Sequence, residues 1–225
     1  MGSWFGGLPP ITRAAKWIII ANAVMFVLCA LTGGYHGKVW NSLAMRTDLV
    51  LHGEVWRLVT FTYIHGSGFH IAMNMLGLYL LGVHLERHWG AKRFFIFYTL
   101  SGAVAVVLYF LVTLMDWLDP RIPLVGASGG VLAVLGACAV LFPQIRLIVF
   151  VFPLPIRTFV LLFGGIYAFN LLGRGPNAGG DACHLAGMAF GVAWAYHGDR
   201  WMGMIRGRRS RVRAARFERR PGDYP

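Results

Sequence analysis

Six apolar stretches dominate this sequence, and they constrain its fold more than any other feature. They lie at residues 17–32, 70–86, 94–115, 126–142, 155–172 and 182–198. A helix that crosses a bilayer needs about 20 mostly apolar residues, and it satisfies its backbone polar groups internally. The chain is 57% hydrophobic and only 13% charged, whereas soluble domains carry about 25% charged residues. The sequence therefore predicts an all-α, polytopic membrane protein with six transmembrane helices.

The basic residues are distributed unevenly between the loops, and their distribution predicts the orientation. With six spans and a cytoplasmic N-terminus, 16 of the 21 lysines and arginines fall on the cytoplasmic side. Cytoplasmic loops normally carry this excess, so we expect both termini in the cytoplasm, with a bacterial chain in the inner membrane. The predicted divisions are a cytoplasmic segment (1–16), a membrane domain (17–198) with a long external first loop (33–69), and a basic cytoplasmic tail (199–225).

Both ends of the chain carry positive charge that has two interpretations. Arg13 and Lys16 precede the first apolar stretch, as in a signal peptide. That stretch is long for a signal core and Thr32 is a poor cleavage residue, so we expect an uncleaved helix. Eight arginines lie between residues 206 and 220. Such a patch can bind nucleic acid, but directly after a membrane span it is more typical of a mobile tail near anionic lipid, so we expect membrane lipids and no nucleic acid as partners.

Four polar side chains stand at the beginnings of alternate apolar stretches. In the predicted topology the second, fourth and sixth helices all begin on the external side. His70 and Asn74 lie at the start of the second, Ser128 at the start of the fourth, and His184 at the start of the sixth. Polar groups at this depth are costly and normally face the interior of a helix bundle. We therefore expect these four side chains to converge in one layer.

A serine and a histidine in one such layer have the chemistry of a nucleophile and its general base. Small residues around Ser128, and the pair Gly187 and Gly191 in the sixth stretch, allow two helix backbones to approach closely. The glycines beside Ser128 also permit a tight turn whose free amides face a developing negative charge. His70 and Asn74 are four residues apart, so they share a helix face and can donate to the same oxyanion.

The serine and the small residues also have a purely structural interpretation. A serine among glycines in a membrane helix is more often a packing residue, and small pairs such as Gly187 and Gly191 are common there.

A metal enzyme or transporter is an alternative suggested by His84 and His88, but zinc proteases place Glu directly after the first His, and Glu86 comes two residues later. The three cysteines have no metal or disulfide spacing. We therefore predict no metal and no cofactor.

Four motifs, in their order and spacing, resemble those of the rhomboid intramembrane serine proteases. They are EVWRLVT in the first loop, HGSGFHIAMNM at the second helix, GASGG at the fourth and HLAGMAFG in the sixth. The resemblance extends over residues 54–197. It implies a six-helix rhomboid-like bundle and peptide-bond hydrolysis within the membrane by a Ser–His dyad, with single-pass transmembrane proteins as substrates.

The resemblance also implies a role for each matching residue. Ser128 would be the nucleophile and His184 the general base. The oxyanion hole would use His70, Asn74 and the Ser128 amide, with Gly126 shaping the same turn. Structural roles are implied for five further motif residues: Trp56, Arg57, Glu86, Gly187 and Gly191. Rhomboid-like proteins that bind without cutting have typically lost the serine or the histidine, so we expect an enzyme; a channel is disfavoured because no charged pathway crosses the midplane.

Two positions near these motifs need separate predictions. Many relatives carry an aromatic residue four positions after the nucleophile, where it packs against the base; here Leu132 occupies that position. We therefore expect a less firmly oriented imidazole. Asp181 precedes His184 by three residues and invites assignment as a third triad member. We instead expect Asp181 to cap the sixth helix, where an acid favours the N-terminal amides.

Overall fold

The computed structural model describes residues 9–149 and 152–217, and these residues form a predominantly helical bundle. Its helices are α1 (Arg13–Leu31), α2 (Lys38–Leu43), α3 (Thr47–Leu51), α4 (Arg57–Thr60), α5 (Gly68–Gly77), α6 (Val83–Trp89), α7 (Ala91–Leu114), α8 (Ser128–Leu141), α9 (Ile156–Leu172) and α10 (Ala178–Phe217). A 3₁₀ turn (Phe61–Tyr63) follows α4. A π-helical segment (Leu78–Gly82) joins α5 to α6, so residues 68–89 form one continuous helix.

The length and composition of the helices identify an integral membrane protein. Three of them, at 13–31, 68–89 and 91–114, are long and apolar enough to cross a bilayer. Helices α8 and α9 are also apolar but shorter. Large apolar side chains remain exposed on the outside of the bundle; Phe169 on α9, for example, is 81% exposed. Contact with lipid accounts for such exposure, and the six-span topology stays a prediction.

Helix α8 lies at the centre of the bundle because its residues are small and apolar on every side. Ten of its 14 residues are buried. It packs against α10, and the backbones there are in contact: a Cβ atom on Gly187 would overlap the carbonyl oxygen of Gly129. A Cβ atom on Gly191 would overlap the carbonyl oxygen of Ala133 in the same way. The small residues of both helices therefore set their distance, and that distance positions the first turn of α8 against α10.

The first loop folds into three short helices that hold the segment before α8. The guanidinium of Arg57, which is buried, donates to the carbonyls of Asn41 (2.6 Å) and Ala44 (2.5 Å). The indole of Trp56 donates to the carbonyl of Ser42 at 3.0 Å. The loop then pairs with the chain ahead of α8, because the Leu124 amide donates to the Met45 carbonyl at 2.8 Å and the Met45 amide donates to the Leu124 carbonyl at 3.0 Å.

At the opposite end of the 68–89 helix, Glu86 fastens the start of α1. Its carboxylate is buried and accepts hydrogen bonds from the amides of Ala14 and Ala15, both at 2.8 Å, and from the hydroxyl of Thr12 at 2.6 Å. The first amides of a helix have no partner within the helix, and a carboxylate there also meets the positive end of the helix dipole. Glu86 thus caps α1 from a different helix.

Two segments have structure that the sequence analysis did not predict. Ahead of α9, two strands form an antiparallel pair, β1 (Arg146–Val149) and β2 (Phe152–Pro155), with Arg146 opposite Pro155. Helix α10 continues to Phe217, although its apolar stretch ends near residue 198. The mobility of the tail stays a prediction. Arginine and alanine favour helix, and no proline interrupts the segment. Residues 218–225 of the tail lie outside the described residues.

Candidate active site

The turn that leads into α8 places Ser128 at the first position of that helix. Gly126 has φ +122°, a conformation that side chains with a Cβ rarely adopt, and its amide donates to the Phe61 carbonyl at 2.9 Å. A Cβ atom at position 126 would lie 2.6 Å from Cε1 and 2.7 Å from Nε2 of His70. Glycine is therefore required twice: for the turn, and for the approach of the His70 ring.

Ser128 and His184 are in direct contact. The Nε2 atom of His184 lies 2.9 Å from the Oγ atom of Ser128, within the hydrogen-bond range of a nucleophile and its base. The two residues are 56 positions apart in the chain, and the close packing of α8 on α10 brings them together. The imidazole is largely enclosed, with 15% of its side-chain surface exposed. Since a serine hydroxyl donates its proton to an unprotonated nitrogen, a base at Nε2 requires the ring proton on Nδ1.

His70 and Asn74 occupy one face of α5 next to this turn. Helix α5 begins at Gly68, where the hydroxyl of Ser67 accepts a hydrogen bond from the His70 amide at 3.1 Å. The Nδ2 atom of Asn74 is buried and has no hydrogen-bond partner among the described residues. It would lie 3.8 Å from a Cβ atom at Gly126. Both side chains thus face the turn that contains Ser128, and the Asn74 amide has donor capacity that no protein atom of the described residues uses.

His65 is a neighbour of the site that our sequence reasoning missed. Its ring is buried, packs edge-on against His70 with centroids 4.9 Å apart, and accepts a long hydrogen bond (3.4 Å) from the Ala127 amide. The Ser128 amide, at the first position of α8, has no acceptor within the helix. His65 stands five residues before His70 and precedes α5, so helix periodicity does not group it with His70 and Asn74.

Tyr167 of α9 packs against the imidazole of His184. The ring centroids are 4.7 Å apart and the planes are inclined by 54°. Leu132 offers no ring, as the sequence indicated, but an aromatic partner for the base is supplied from α9 instead. The prediction of a less firmly oriented imidazole was based on Leu132 alone and did not include the contact between Tyr167 and His184. No local pattern in the sequence links position 167 to position 184, so this contact could not be predicted from it.

Asp181 lies on the other side of the same imidazole and is buried. Its Oδ1 atom is 3.3 Å from Nδ1 of His184, a contact that lacks the geometry of a hydrogen bond. The carboxylate accepts hydrogen bonds from the side-chain amides of Asn170 and Asn177, the latter at 3.1 Å. Asp181 does lie in the first turn of α10, but its hydrogen bonds go to these side chains and not to helix amides. The predicted capping of helix amides is therefore wrong, whereas the expected place of this acid at the start of the helix is confirmed.

The residues of the alternative metal site, His84 and His88, lie away from the Ser128–His184 pair. Both residues are on α6, at the far end of the 68–89 helix from His70, and their rings pack around Phe142 with centroid distances of 6.0 and 5.6 Å. Nδ1 of His84 bonds to the carbonyl of Leu80 at 2.9 Å. Within residues 9–149 and 152–217, no three His, Cys, Asp or Glu side chains are grouped as metal ligands.

Comparisons with known proteins agree on one family. The model of the Rhomboid domain matches residues 52–200. Rhomboid protein 1, mitochondrial, of Saccharomyces cerevisiae is 32% identical over 149 residues, which are 62% of this chain and 41% of that protein. The rhomboid protease GlpG of Haemophilus influenzae is 30% identical over 146 residues, 64% of this chain and 69% of that protein. The rhomboid protease GluP of Bacillus subtilis is 33% identical over 121 residues, 53% of this chain and 22% of that protein.

The matched segment contains the whole candidate site, from His65 through Ser128 to His184. The matches cover about two fifths of the yeast relative, so the similarity concerns this domain and not the full length of every relative. The matched domain accounts for well over half of the present sequence. This chain is therefore a member of the rhomboid family.

Proposed function

We propose that the protein is an intramembrane serine endopeptidase that cleaves transmembrane segments with a Ser128–His184 dyad. The observation that carries the proposal is the 2.9 Å contact between Ser128 Oγ and His184 Nε2 at the ends of two helices in backbone contact. Membership of the rhomboid family supports it, since two of the similar proteins are named rhomboid proteases. No metal or cofactor is needed for this chemistry.

The first step is attack by the serine hydroxyl on a peptide carbonyl. Ser128 Oγ forms a bond to the carbonyl carbon while its proton moves to Nε2 of His184, which becomes an imidazolium. The carbonyl oxygen gains the negative charge of a tetrahedral intermediate. The imidazolium then gives its proton to the leaving amine as the peptide C–N bond breaks, and an acyl-enzyme remains on Ser128.

The charge on the oxygen is met by donors on the side of the site formed by α5 and the Gly126 turn. We assign the Ser128 amide, the His70 ring and the Asn74 Nδ2 group to this role. Asn74 suits it because its amide donor is buried near the turn with no other partner among the described residues. Removal of one preorganised donor of this kind typically costs about 3–4 kcal/mol of transition-state stabilisation.

The second step releases the acyl group. Water approaches from the external face, and His184 takes its proton at Nε2 as the water oxygen attacks the acyl carbon. Collapse of the second tetrahedral intermediate breaks the ester bond to Ser128, whose oxygen recovers the proton from His184. The enzyme is thereby regenerated without any other reactant.

Single-pass transmembrane proteins are the substrates we propose. A peptide carbonyl inside an intact helix is hydrogen-bonded and hidden, so a substrate helix that enters from the lipid has to unwind near its outer end. Small or helix-weakening residues near the cut favour that unwinding. With both termini in the cytoplasm, as the basic residues indicate, the site lies near the external surface of the membrane. The arginines after residue 205 would then lie near anionic lipid.

The test uses a fluorophosphonate probe and a membrane-embedded substrate with the purified protein in proteoliposomes. We expect the probe to label the wild type and Ser101→Ala but neither Ser128→Ala nor His184→Ala. Ser101 is a matched control, because it is buried on α7 and its hydroxyl donates to the Phe97 carbonyl at 2.7 Å. Ser128→Ala should lower kcat by about 10⁶-fold, as loss of the nucleophile does in soluble serine proteases. Cleavage by purified Ser128→Ala at the wild-type rate would refute the assignment.

A further inference from the structure

We propose that Asp181 is a positioning residue for His184: its carboxylate holds the imidazole in the form that carries a proton on Nδ1 and leaves Nε2 free to accept the proton of Ser128. The inference rests on the proposed function, because it assigns a role within the same site. It replaces our sequence-based view of Asp181 as a helix cap, which the hydrogen bonds of its carboxylate contradict.

The position of Asp181 relative to the imidazole is the first support. Residues 181 and 184 lie three apart on α10, so their side chains share one face of the helix. Oδ1 of Asp181 is 3.3 Å from Nδ1 of His184, and Nδ1 has no hydrogen-bond partner among the described residues. A small rotation of the ring would align this contact. Catalytic hydrogen bonds are often long or poorly aligned before a substrate is bound.

The chemistry of the two ring nitrogens is the second support. A neutral imidazole carries one proton, and the group next to one nitrogen decides which nitrogen holds it. An ionised carboxylate only accepts hydrogen bonds, so a carboxylate beside Nδ1 favours the proton on Nδ1. Nε2 is then free for the hydroxyl of Ser128. When that proton arrives, the ring becomes positive, and the nearby negative charge stabilises it.

The anchoring of the carboxylate is the third support. Asn170 of α9 donates to one oxygen of Asp181, and Asn177, immediately before α10, donates to the other. Glycines make room for both amides: a Cβ atom on Gly175 would overlap the Asn170 side chain, and a Cβ atom on Gly180 would lie 2.6 Å from Oδ1 of Asn177. With both oxygens bonded and only 3% of the residue exposed, the carboxylate has little freedom to leave the ring.

A purely structural role is the competing explanation, since the same bonds tie α9 to α10. Asp181→Asn separates the two, because it keeps the size of the side chain but removes the charge and can donate to Nδ1. If Asp181 positions the base, kcat on a single-pass substrate should fall at least about tenfold with KM unchanged within about twofold. The loss should stay below about 100-fold, far less than the ~10⁴-fold caused by the same change in a soluble, fully aligned triad. Equal kcat in the variant and the wild type would overturn the inference.

Asp199→Asn is the matched control for this experiment. It makes the same chemical change on the same helix, at an exposed carboxylate that pairs with Arg93. We expect its kcat and KM to equal those of the wild type. A comparable loss of kcat in Asp199→Asn would show that the effect comes from a changed charge on α10 in general, and would overturn the inference.

A spectroscopic measurement distinguishes failure of this inference from failure of the proposed function. Nitrogen NMR of protein labelled at histidine reports which ring nitrogen carries the proton, and His184→Gln identifies the signals of His184. We expect the proton on Nδ1 in the wild type and a shift towards Nε2 in Asp181→Asn. A wild-type His184 protonated on Nε2 overturns the inference, even if Asp181→Asn does not fold. Absence of cleavage by the wild type would refute the proposed function and leave the NMR result to decide the role of Asp181.

Discussion

The two sides of the Ser128–His184 pair are built differently. The oxyanion side, which we define as Gly126, Ser128, His70 and Asn74, is made from a glycine turn and one face of α5. Its donors are left open: Nδ2 of Asn74 has no partner among the described residues, and the Ser128 amide is the first of its helix. A surface that must receive a new oxygen during the reaction needs such unused donors.

The base side, which we define as Asp181, Asn170, Asn177 and Tyr167, is closed by contrast. Both oxygens of the Asp181 carboxylate accept hydrogen bonds, and the Tyr167 ring covers the imidazole of His184. No group on this side has to meet the substrate. It has to keep one ring in one orientation, and hydrogen bonds together with packing do that.

This difference reflects two tasks of the site, which are to stabilise the oxyanion and to orient the imidazole of His184. A buried polar group without a hydrogen bond is costly, and the proposed reaction would give Nδ2 of Asn74 the partner that it lacks among the described residues. Paired groups can lie behind the base at little cost, because their hydrogen bonds are already made. Changes on the oxyanion side should therefore reduce kcat more than changes on the base side, and changes that separate the two sides should be worst.

The largest effect should come from the contact that joins the two sides. Gly187→Ala places a Cβ atom against the Gly129 carbonyl, so α8 and α10 have to move apart. Such a shift would break the 2.9 Å contact between Ser128 and His184. We expect cleavage to fall below detection and the free energy of unfolding to fall by about 1–3 kcal/mol, the usual cost of overpacking. Proteoliposome cleavage assays and thermal unfolding measure the two quantities.

Gly164→Ala is the control for that change. Gly164 lies on α9, and a Cβ atom there would meet nothing within 4 Å. This variant should match the wild type in cleavage and should unfold at the same or a slightly higher temperature, because alanine favours helix over glycine. Normal activity in Gly187→Ala would mean that α8 and α10 adjust without separating Ser128 from His184. The backbone contact between the two helices would then not be needed to position the dyad.

The next effect should come from the oxyanion side alone. Asn74→Ala removes a buried amide whose donor forms no bond with the described protein atoms, so little hydrogen bonding is lost in the resting enzyme. We expect kcat to fall by about 10²–10³-fold, the usual cost of losing an oxyanion donor. Asn41→Ala, which changes an exposed residue of α2, serves as the control and should leave kcat unchanged. An Asn74→Ala enzyme with wild-type kcat would show that its amide does not meet the oxyanion.

The sequence predicts the oxyanion side better than the base side, and the reason is physical. Gly126 and Ser128 are two residues apart and His70 and Asn74 are four apart, so local geometry alone groups them. Tyr167 and Asn170 share a face of α9, but that helix is apolar on most sides, with half of its large side chains facing outwards. A helix without a polar face gives no indication of its rotation in the bundle. Which of its side chains meet α10 is visible only in three dimensions.

The fold, too, has parts that the sequence predicts and parts that depend on tertiary contacts. The apolar stretches predict the long helices, because bilayer thickness sets their length. The small helices of the first loop depend instead on tertiary bonds, such as those from the buried Arg57 guanidinium to the Asn41 and Ala44 carbonyls, and a short helix has little stability of its own. The extension of α10 to Phe217 depends on helix propensity after the apolar pattern has ended, which hydropathy does not measure.

The smallest effect should come from the base side at Tyr167. Its ring packs on the imidazole with centroids 4.7 Å apart, and aromatic pairs contribute about 0.5–1.5 kcal/mol beyond the area they bury. If that contact orients His184, Tyr167→Leu should lower kcat by about 2- to 12-fold with little change in KM, because RT ln of these factors equals that energy range. Steady-state cleavage of a single-pass substrate in proteoliposomes measures the change.

Tyr167→Phe decides whether the ring or the hydroxyl is responsible. Phenylalanine keeps the ring face against His184, so this variant should retain nearly the wild-type kcat. An equal loss in Tyr167→Phe and Tyr167→Leu would assign the effect to the hydroxyl and remove the ring from the base side. If Tyr167→Leu lowered kcat as much as Asn74→Ala, the base side would be as demanding as the oxyanion side. The proposed division between an open side that receives charge and a closed side that holds a ring would then be wrong.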